Sequence, residues 1–340
     1  MRYIIIGAGA IGGVLGARLA QHSTENRPLL IARGEHGGAI ARNGLRLRTS
    51  DEDTLVPVDS AAGPDGVILR SDDVLVLATK TQQAQTALEQ WVDASVFDDQ
   101  GVRLGTAGEL LPVLIALNGV ESERIALRLF ARVFGVCVWL PAVHLVPGEV
   151  ILRIGPTSGM FIIGRYGATS DGADEALLAT IAEDWTASSF TVHIVEDVMR
   201  WKYNKLLSNL GNAVQALLGA IDAEGAAIAD RLQAEAEAIY RATGIQWASE
   251  DEEAAWRGDV FRIRPVPGTP EQLGGSSWQS LARGSSIESD YLNGEIALVA
   301  RLHGMSAPLN ATVQRLAREA AASGSGLGSL TAAQLATLLG

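Results

Sequence analysis

The 340-residue sequence has little of several features that mark other classes of protein. Its one cysteine, Cys137, excludes a disulfide within the chain and fits the reducing cytoplasm. Cys137 lies in an apolar run, which predicts a buried thiol. The five histidines are scattered, with no pair at the spacing of metal ligands, so we expect no metal site.

Long apolar runs and basic charge are also scarce. No run of about 18 apolar residues is present, so we expect no transmembrane helix. The 39 acidic residues outnumber the 27 lysines and arginines, which gives a net charge of −12. Because an acidic chain repels phosphate backbones, we expect no nucleic acid partner, and without a transmembrane helix we expect no membrane partner.

What the sequence does contain is enough apolar residue, 47%, to build a sizeable core. At about 150 residues per domain, its length predicts two domains. The 37 glycines follow no regular period, so they are expected at turns and at close approaches of the backbone.

The first segment predicts a dinucleotide-binding loop. A short β-branched run, 3–6, is followed by Gly-Ala-Gly-Ala-Ile-Gly and then by helical spacing of apolar residues. In such a loop Gly7 makes the turn, Gly9 lets the backbone approach a pyrophosphate, and Gly12 lets helix pack on strand. The helix N-terminus offers amides and partial positive charge. The predicted cofactor-binding residues here are Gly7, Gly9, Ala10, Ile11 and Gly12. The alternative is a glycine-rich turn without a ligand.

The second strand predicts the choice of cofactor. A site that prefers NAD places an acidic residue at the end of this strand, where the sequence has Arg33. A guanidinium there suits a 2′-phosphate, so we expect NADP(H). Arg33 could instead be an exposed arginine without a cofactor role, and Glu35 is nearby.

The order of apolar segments predicts two domains of different class. Strand and helix patterns alternate as far as residue 195, which indicates an α/β, Rossmann-like, doubly wound sheet. Beyond it only helical patterns follow, at about 197–218, 223–243, 288–303 and 311–321. The expected division is therefore a dinucleotide-binding domain, 1–195, an all-α domain, 196–322, and a tail, 323–340. The tail combines a flexible Gly/Ser linker with a short helix, either frayed or packed on a partner subunit.

Two polar residues follow predicted strands directly. Lys80 comes after the strand at 73–78, and Asn118 after the strand at 113–117. In an open parallel sheet, ligands bind outside the carboxyl ends of the strands, so we expect both residues near the cofactor. Each could instead cap a helix or form a turn.

A polar stripe marks the helix predicted at 197–218. At ~100° per residue, Lys205, Asn209 and Asn212 lie within about 60° of one another. Asparagine is a poor helix former, so two on one face call for a reason. The stripe suits a carbonyl and a carboxylate as ligand, or it is a helix face with satisfied asparagines. Farther on, Glu288 is expected to open a helix, where a carboxylate is often only a dipole partner.

Over essentially its whole length the chain resembles the ketopantoate reductase (2-dehydropantoate 2-reductase) family. The similarity rests on the order and spacing of several short segments. These are Gly-Ala-Gly-Ala-Ile-Gly at 7–12, Arg33-Gly34, Thr79-Lys80-Thr81, Asn118-Gly119, Lys205-Leu206-Leu207-Ser208-Asn209, Ser276, and Glu288-Ser289-Asp290-Tyr291-Leu292-Asn293-Gly294.

The resemblance implies NADPH-dependent reduction of a 2-keto acid to a 2-hydroxy acid, ketopantoate to pantoate in pantothenate biosynthesis. It implies that Lys205 is the catalytic lysine and that Glu288 is the acid that supports catalysis and binds substrate. It further implies substrate contacts at Asn209 and Ser276, with Asn212 beside them, and Lys80 and Asn118 at the nicotinamide ribose. A homodimer is also in keeping with it.

The chain departs from the family pattern at three places. Ala213 stands where many members have a second asparagine, Gln279-Ser280 replaces Gln-Asp, and Gly284-Ser285-Ser286-Ile287 replaces Gly-Arg-x-Thr before the glutamate. These changes leave open a reductase or dehydrogenase of another branched 2-keto or 3-hydroxy acid. A non-catalytic, NADP-binding sensor is the third hypothesis.

Overall fold

A computed structural model describes residues 1–23, 27–167, 171–258, 261–270, 274–282, 284, 286–324 and 326–340. Ser285, one of the departures from the family pattern, lies outside these residues. The chain divides into two compact units. The first comprises Met1–Leu117, Glu121–Trp201 and Asp251–Glu271, and the second Asn118–Val120, Lys202–Glu250 and Gln272–Gly340.

The first unit is built on an eight-stranded sheet in the order β16-β15-β11-β10-β7-β1-β2-β5. All neighbouring pairs are parallel except β11 and β15. The chain adds strands on one side of β1 and then on the other, so β1 and β7 flank the point where the order reverses. The strands are β1 Arg2–Ile6, β2 Leu29–Ile31, β5 Asp59–Ala61, β7 Asp73–Leu77, β10 Pro112–Ile115, β11 Arg132–Trp139, β15 Met160–Arg165 and β16 Thr191–Ile194.

Both faces of this sheet are buried, as its β-branched strands predict. Along β1, Ile5 belongs to one apolar cluster, and Ile4 and Ile6 belong to the other. Helices cover both faces, so the predicted doubly wound α/β architecture is confirmed. The helices of this unit before residue 190 are α1 Ala10–His22, α2 Gly34–Asn43, α3 Thr81–Glu89, α4 Ala107–Leu110, α5 Ser122–Leu127 and α6 Gly172–Ala187.

The described residues of the first unit also form three smaller sheets, which the sequence patterns did not predict as such. The largest has the order β12-β13-β3-β4, and β13 contacts α1. The others are β6-β8-β9 and β14-β17. Their strands are β3 Leu45–Arg48, β4 Asp53–Val56, β6 Leu69–Arg70, β8 Ser95–Phe97, β9 Arg103–Thr106, β12 Ala142–Val143, β13 Glu149–Leu152, β14 Ile154–Pro156 and β17 Phe261–Ile263.

The structure does not divide the chain at a single point near residue 195. The division falls inside helix α7, Val198–Asn209, and residues from Asp251 onward return to the first unit. The reason is that β17 pairs with β14, and that Trp256 of α10, Glu250–Arg257, stacks on Trp201 with ring centroids 4.0 Å apart. Cys137 is buried, as expected, and its thiol lies 3.5 Å from the carbonyl oxygen of Trp201.

The described part of the second unit contains only helices and connecting segments, as the sequence predicts. The helix expected at 197–218 is interrupted at Leu210, and the carbonyl of Leu210 accepts a hydrogen bond from the side chain of Asn293. Glu288 does not open a helix, because the helix expected at 288–303 begins five residues later, at Asn293. The helices are α8 Gly211–Leu218, α9 Ala223–Thr243, α11 Ser276–Ala282, α12 Asn293–Leu302, α13 Pro308–Ser323 and α14 Ala332–Leu339.

The C-terminal tail packs on its own chain rather than fraying. The amides of Gly328 and Leu330 donate to carbonyls of α8, and Leu335 of α14 is fully buried. Helix α13 continues to Ser323, and the next helix begins at Ala332, so residues 324–331 separate the two helices. Among the described residues, none of the helices combines the length and apolar character needed to cross a bilayer.

Candidate active site

The glycine loop follows β1, and it lies beside the segment that follows β7, at the point where the strand order reverses. Gly7 has φ +103°, a conformation that favours glycine. A Cβ on Gly7 would lie 2.9 Å from the backbone of Ala78 and from Cγ2 of Thr79. Ligands of open α/β sheets bind outside the carboxyl ends of the strands at such a reversal. Gly7 and the 78–80 segment therefore lie at the position expected for a cofactor.

The other two glycines of the loop differ in what surrounds them. A Cβ on Gly12 would overlap the carbonyl oxygen of Gly7 and lie 2.9 Å from Cγ2 of Ile5. Gly12 thus allows helix and strand to pack closely. A Cβ on Gly9 would meet nothing within 4 Å. The absence of a side chain at Gly9 has no packing reason within the described residues, which is the condition for a ligand approaching the backbone there.

Helix α1 begins directly after this open position. Gly9 is its N-cap, no side chain caps it, and its first turn has no acidic residue. The first amides of a helix have no intrahelical acceptor and carry partial positive charge, so Ala10 and Ile11 open an anion-binding terminus. Together with the space at Gly9, these residues fit the pyrophosphate of a dinucleotide.

Arg33 follows β2 at the same edge of the sheet. The amides of Gly7 and Ala8 donate to the Ile31 carbonyl at 3.1 and 3.2 Å, which holds the glycine loop against the end of β2. Arg33 is exposed and forms the N-cap of α2. Glu35, also exposed, lies in the first turn of that helix.

The structure assigns Lys80 and Asn118 to different units. Lys80 is half-buried and forms the N-cap of α3, beside the glycine loop. Asn118 belongs to the second unit, in a turn with Gly119 at φ +81°. A Cβ on Gly119 would lie 3.0 Å from the carbonyl oxygen of Tyr291. This turn and the 288–294 segment, both quoted for the family resemblance, are therefore neighbours.

In the second unit the two predicted asparagines are in contact. Asn209, at the end of α7, is 5% exposed, and its Oδ1 accepts from Nδ2 of Asn212 at 3.3 Å. The Nδ2 of Asn209 is buried and has no hydrogen-bond partner among the described residues. Lys205 lies one turn earlier on α7 and is half-buried. The polar stripe predicted from the sequence is thus formed by Lys205 and Asn209 on α7 and Asn212 on α8.

A glycine loop brings Ser276 to this stripe. The amide of Gly275 donates to Oε1 of Gln215 at 2.8 Å, and a Cβ on Gly275 would lie 3.1 Å from Oδ1 of Asn212. Ser276 follows as the first residue of α11, and its Oγ is also buried without a partner among the described residues. Sequence reasoning missed Gln215, although it lies three residues after Asn212 on the same helix.

The departure at Ser280 has a structural role. Ser280 is 1% exposed, and its hydroxyl donates to the carbonyl of Ser276 at 3.0 Å, inside α11. The neighbouring Trp278 donates from Nε1 to the Gly219 carbonyl at 2.9 Å. Ser280 therefore secures the first turn of the helix that Ser276 opens.

Glu288 is buried, with 3% of its surface exposed. It lies in a turn, where its carbonyl accepts from the amides of Tyr291 and Leu292. The adjacent Ser289 is 1% exposed, and its Oγ has no partner among the described residues. Sequence reasoning did not single out Ser289.

Unsatisfied buried polar atoms are rare in folded proteins and call for an explanation, such as a ligand or water. Two of them here, Asn209 Nδ2 and Ser276 Oγ, belong to residues expected to contact substrate. An amide donor and a hydroxyl beside a lysine can bind a small, oxygen-rich anion. The described residues contain no group of three or more potential metal ligands.

Comparisons with known proteins agree in sequence and in fold. The family model described as ketopantoate reductase PanE/ApbA matches residues 3–167, and its C-terminal counterpart matches 197–321. A 2-dehydropantoate 2-reductase of Mesorhizobium japonicum is 30% identical over 94% of this chain and 98% of its own. The crystal structure of a PanE/ApbA family ketopantoate reductase from Ralstonia eutropha is 27% identical, with a TM-score of 0.74 over 96% of this chain and 100% of that one. D-mandelate dehydrogenase with NADH and anilino(oxo)acetate shares the fold, with a TM-score of 0.76 at 20% identity over 96% of this chain and 100% of that one.

Proposed function

The chain belongs to the ketopantoate reductase PanE/ApbA family, and from that premise we propose that it reduces 2-dehydropantoate to pantoate with NADPH, in pantothenate biosynthesis. Members of this family are oxidoreductases that depend on a nicotinamide cofactor and act on a small keto acid. The observation that carries the proposal is the pair of unpartnered buried atoms, Asn209 Nδ2 and Ser276 Oγ, in the unit that contains Lys205.

The preference for NADPH over NADH is supported by Arg33. The glycine loop and the start of α1 suit the pyrophosphate common to both cofactors, so they do not discriminate between them. Arg33 leaves β2 beside that loop, is exposed, and has the planar donors that match a phosphate. When bound, NADPH supplies the hydride, and Lys80 and Asn118 are proposed to bind near its nicotinamide ribose.

Lys205 is proposed as the catalytic residue in proton transfer. As a keto carbon is reduced, negative charge develops on its oxygen. The Lys205 ammonium stabilises that charge and donates the proton that completes the hydroxyl group. Asn209, Asn212 and Ser276 bind the carbonyl and carboxylate oxygens of the substrate, and buried Glu288 supports catalysis and binds the substrate.

The proposal is tested by mixing the purified protein with NADPH and ketopantoate and following the nicotinamide absorbance. We expect turnover by the wild type, and Lys205→Ala should lose turnover while binding NADPH normally. The matched control is Arg315→Gln, which removes an exposed cation on α13 that pairs with Glu319. A Lys205→Ala variant that turned over at the wild-type rate would refute the assigned role.

A second candidate is reduction of another branched 2-keto acid, or oxidation of a 3-hydroxy acid. Ser280 stands where family members commonly have an acid and forms a hydrogen bond within α11. A panel of bulky 2-keto acids with NADPH, and of 3-hydroxy acids with NADP+, separates the candidates. A clear preference for ketopantoate excludes the second. NADPH binding without turnover of any substrate would favour the non-catalytic sensor.

We also propose that the protein works in the cytoplasm and as a homodimer. Its single cysteine, Cys137, is buried, as suits a chain that forms no disulfides. Light scattering coupled to gel filtration gives the mass directly, and a mass near 35.8 kDa would exclude the dimer.

A further inference from the structure

His36 connects the glycine loop to two other segments of the first unit. It is the third residue of α2, the helix that Arg33 caps. Its Nε2 lies 2.7 Å from the carbonyl oxygen of Ala8, inside the loop. Its Nδ1 accepts from the amide of Gly148 at 2.8 Å. Because a carbonyl oxygen only accepts, Nε2 must donate to Ala8, and the two bonds together require the neutral ring with its proton on Nε2.

A second histidine contacts the imidazole of His36. The ring of His144 lies against it, with centroids 4.1 Å apart, and Nδ1 of His144 donates to the Glu149 carbonyl at 3.0 Å. Gly148, which donates to His36, has φ +79° in the turn before β13. The ring that bonds to Ala8 is therefore also contacted by His144 and Gly148, which lie between strands β12 and β13.

The Ala8–Gly9 peptide needs such a restraint. The Ala8 amide donates to the Ile31 carbonyl, but this bond restrains the Gly7–Ala8 peptide. The Ala8 carbonyl belongs to the next peptide, Ala8–Gly9. Rotating this peptide changes ψ of Ala8 and φ of Gly9, and glycine accepts φ of either sign at similar energy. The glycine that leaves room for a ligand thus also permits the peptide to flip.

We propose that His36 is a positioning residue for the cofactor: its bond to the Ala8 carbonyl fixes the Ala8–Gly9 peptide so that the Gly9 N–H faces the pyrophosphate. In a planar trans peptide the C=O and the following N–H point in opposite directions. Holding the carbonyl on the His36 side therefore directs the amide to the other side. The inference rests on the proposed nicotinamide dinucleotide site, and it assigns to His36 no contact with the cofactor.

The test measures the dissociation constants of NADPH and NADH by fluorescence titration without substrate, so it does not depend on which keto acid is reduced. Three variants separate the two bonds. His36→Gln can place an amide donor near the position of Nε2 and restore the bond to Ala8. His36→Asn reaches only as far as Nδ1, so it can accept from Gly148 but cannot donate to Ala8. His36→Ala loses both bonds. His303→Ala, which removes an exposed histidine in the second unit, is the control.

We expect His36→Asn and His36→Ala to weaken both cofactors equally, by about 3- to 10-fold, as for one lost hydrogen bond. His36→Gln and His303→Ala should bind within about twofold of wild type. With the preferred substrate, His36→Asn and His36→Ala should raise KM for the cofactor and leave kcat unchanged.

The proposal is overturned if His36→Asn binds the cofactors like wild type. It is also overturned if His36→Gln binds them as weakly as His36→Asn although both variants melt like wild type. His36 variants that bind NADPH more weakly but bind NADH like wild type would also overturn the proposal, because the pyrophosphate is common to both cofactors. Normal cofactor binding with no turnover of any keto acid would contradict the proposed function and not the role of His36.

Discussion

Adding one methyl group should destabilise the fold at Gly12 but not at Gly9, and it should weaken cofactor binding at both positions. At Gly9 a Cβ meets nothing within 4 Å and φ is −72°, so alanine there is accommodated without a clash. Changes of Gly to Ala at an open, compatible position alter stability by about 1 kcal/mol or less. At Gly12 a Cβ overlaps the Gly7 carbonyl oxygen, which belongs to the backbone and cannot turn aside. Overpacking of this kind destabilises by about 1–3 kcal/mol.

The two variants are compared by urea unfolding and by NADPH titration. Gly9→Ala should unfold within about 1 kcal/mol of wild type. It should nevertheless bind NADPH some 5- to 150-fold more weakly, which corresponds to about 1–3 kcal/mol of steric conflict with the pyrophosphate. Gly12→Ala should lose both stability and binding. Wild-type affinity in Gly9→Ala would show that the open space is not the pyrophosphate site, and wild-type stability in Gly12→Ala would refute the packing argument.

The remaining predictions concern cofactor choice, substrate binding and pH. Arg33→Ala should weaken NADPH by roughly 10-fold or more and NADH by less than about twofold, as judged by fluorescence titration; equal losses would contradict the role of Arg33. Asn209→Ala should raise KM for the keto acid but destabilise the fold by no more than about 1 kcal/mol, since Nδ2 of Asn209 has no partner among the described residues and its Oδ1 accepts one neutral hydrogen bond, from Asn212. Burial against Trp256 lowers the pKa of His193, so the unfolded chain binds a proton that the folded chain does not. The free energy of unfolding should therefore be highest above about pH 6.5 and fall as the pH drops below it, less steeply in His193→Gln. The same pH dependence of that free energy in both proteins, measured by urea unfolding, would count against this cause.

The glycine loop and the parallel sheet are predictable from sequence because both depend on local features. A β-branched run, three glycines at fixed spacing and a helical pattern occur within the first twenty residues. The helix expected at 223–243 also has its predicted bounds, between an Asp222 N-cap and a Gly244 C-cap. Such elements are specified by residues adjacent in the chain.

Features that depend on distant residues were not predictable. The interruption of the helix at Leu210 is stabilised by Asn293, 83 residues away. The turn at Glu288 was missed for another reason: its hydrogen bonds are local, but they join backbone groups, which leave no compositional pattern. The return of Trp256 to the first unit, where it stacks on Trp201, likewise has no local signal.

In the candidate site, too, local features were predictable from the sequence and long-range contacts were not. The types and order of Lys205, Asn209 and Asn212 indicated a polar stripe, which the structure contains. The docking of Ser276 on that stripe requires the contact between Gly275 and Gln215, 60 residues apart. The role of His36 depends on Gly148, which is 112 residues from it, so neither contact could be inferred from the sequence.

The most direct test of the proposed function is the rate of NADPH oxidation with ketopantoate, measured side by side for the wild type and Lys205→Ala at matched cofactor saturation. The assignment of Lys205 as proton donor, with Asn209 and Ser276 as substrate contacts, predicts turnover by the wild type and a loss of at least about 100-fold in kcat for the variant. No oxidation of NADPH by the wild type, or equal rates for the two proteins, would contradict it.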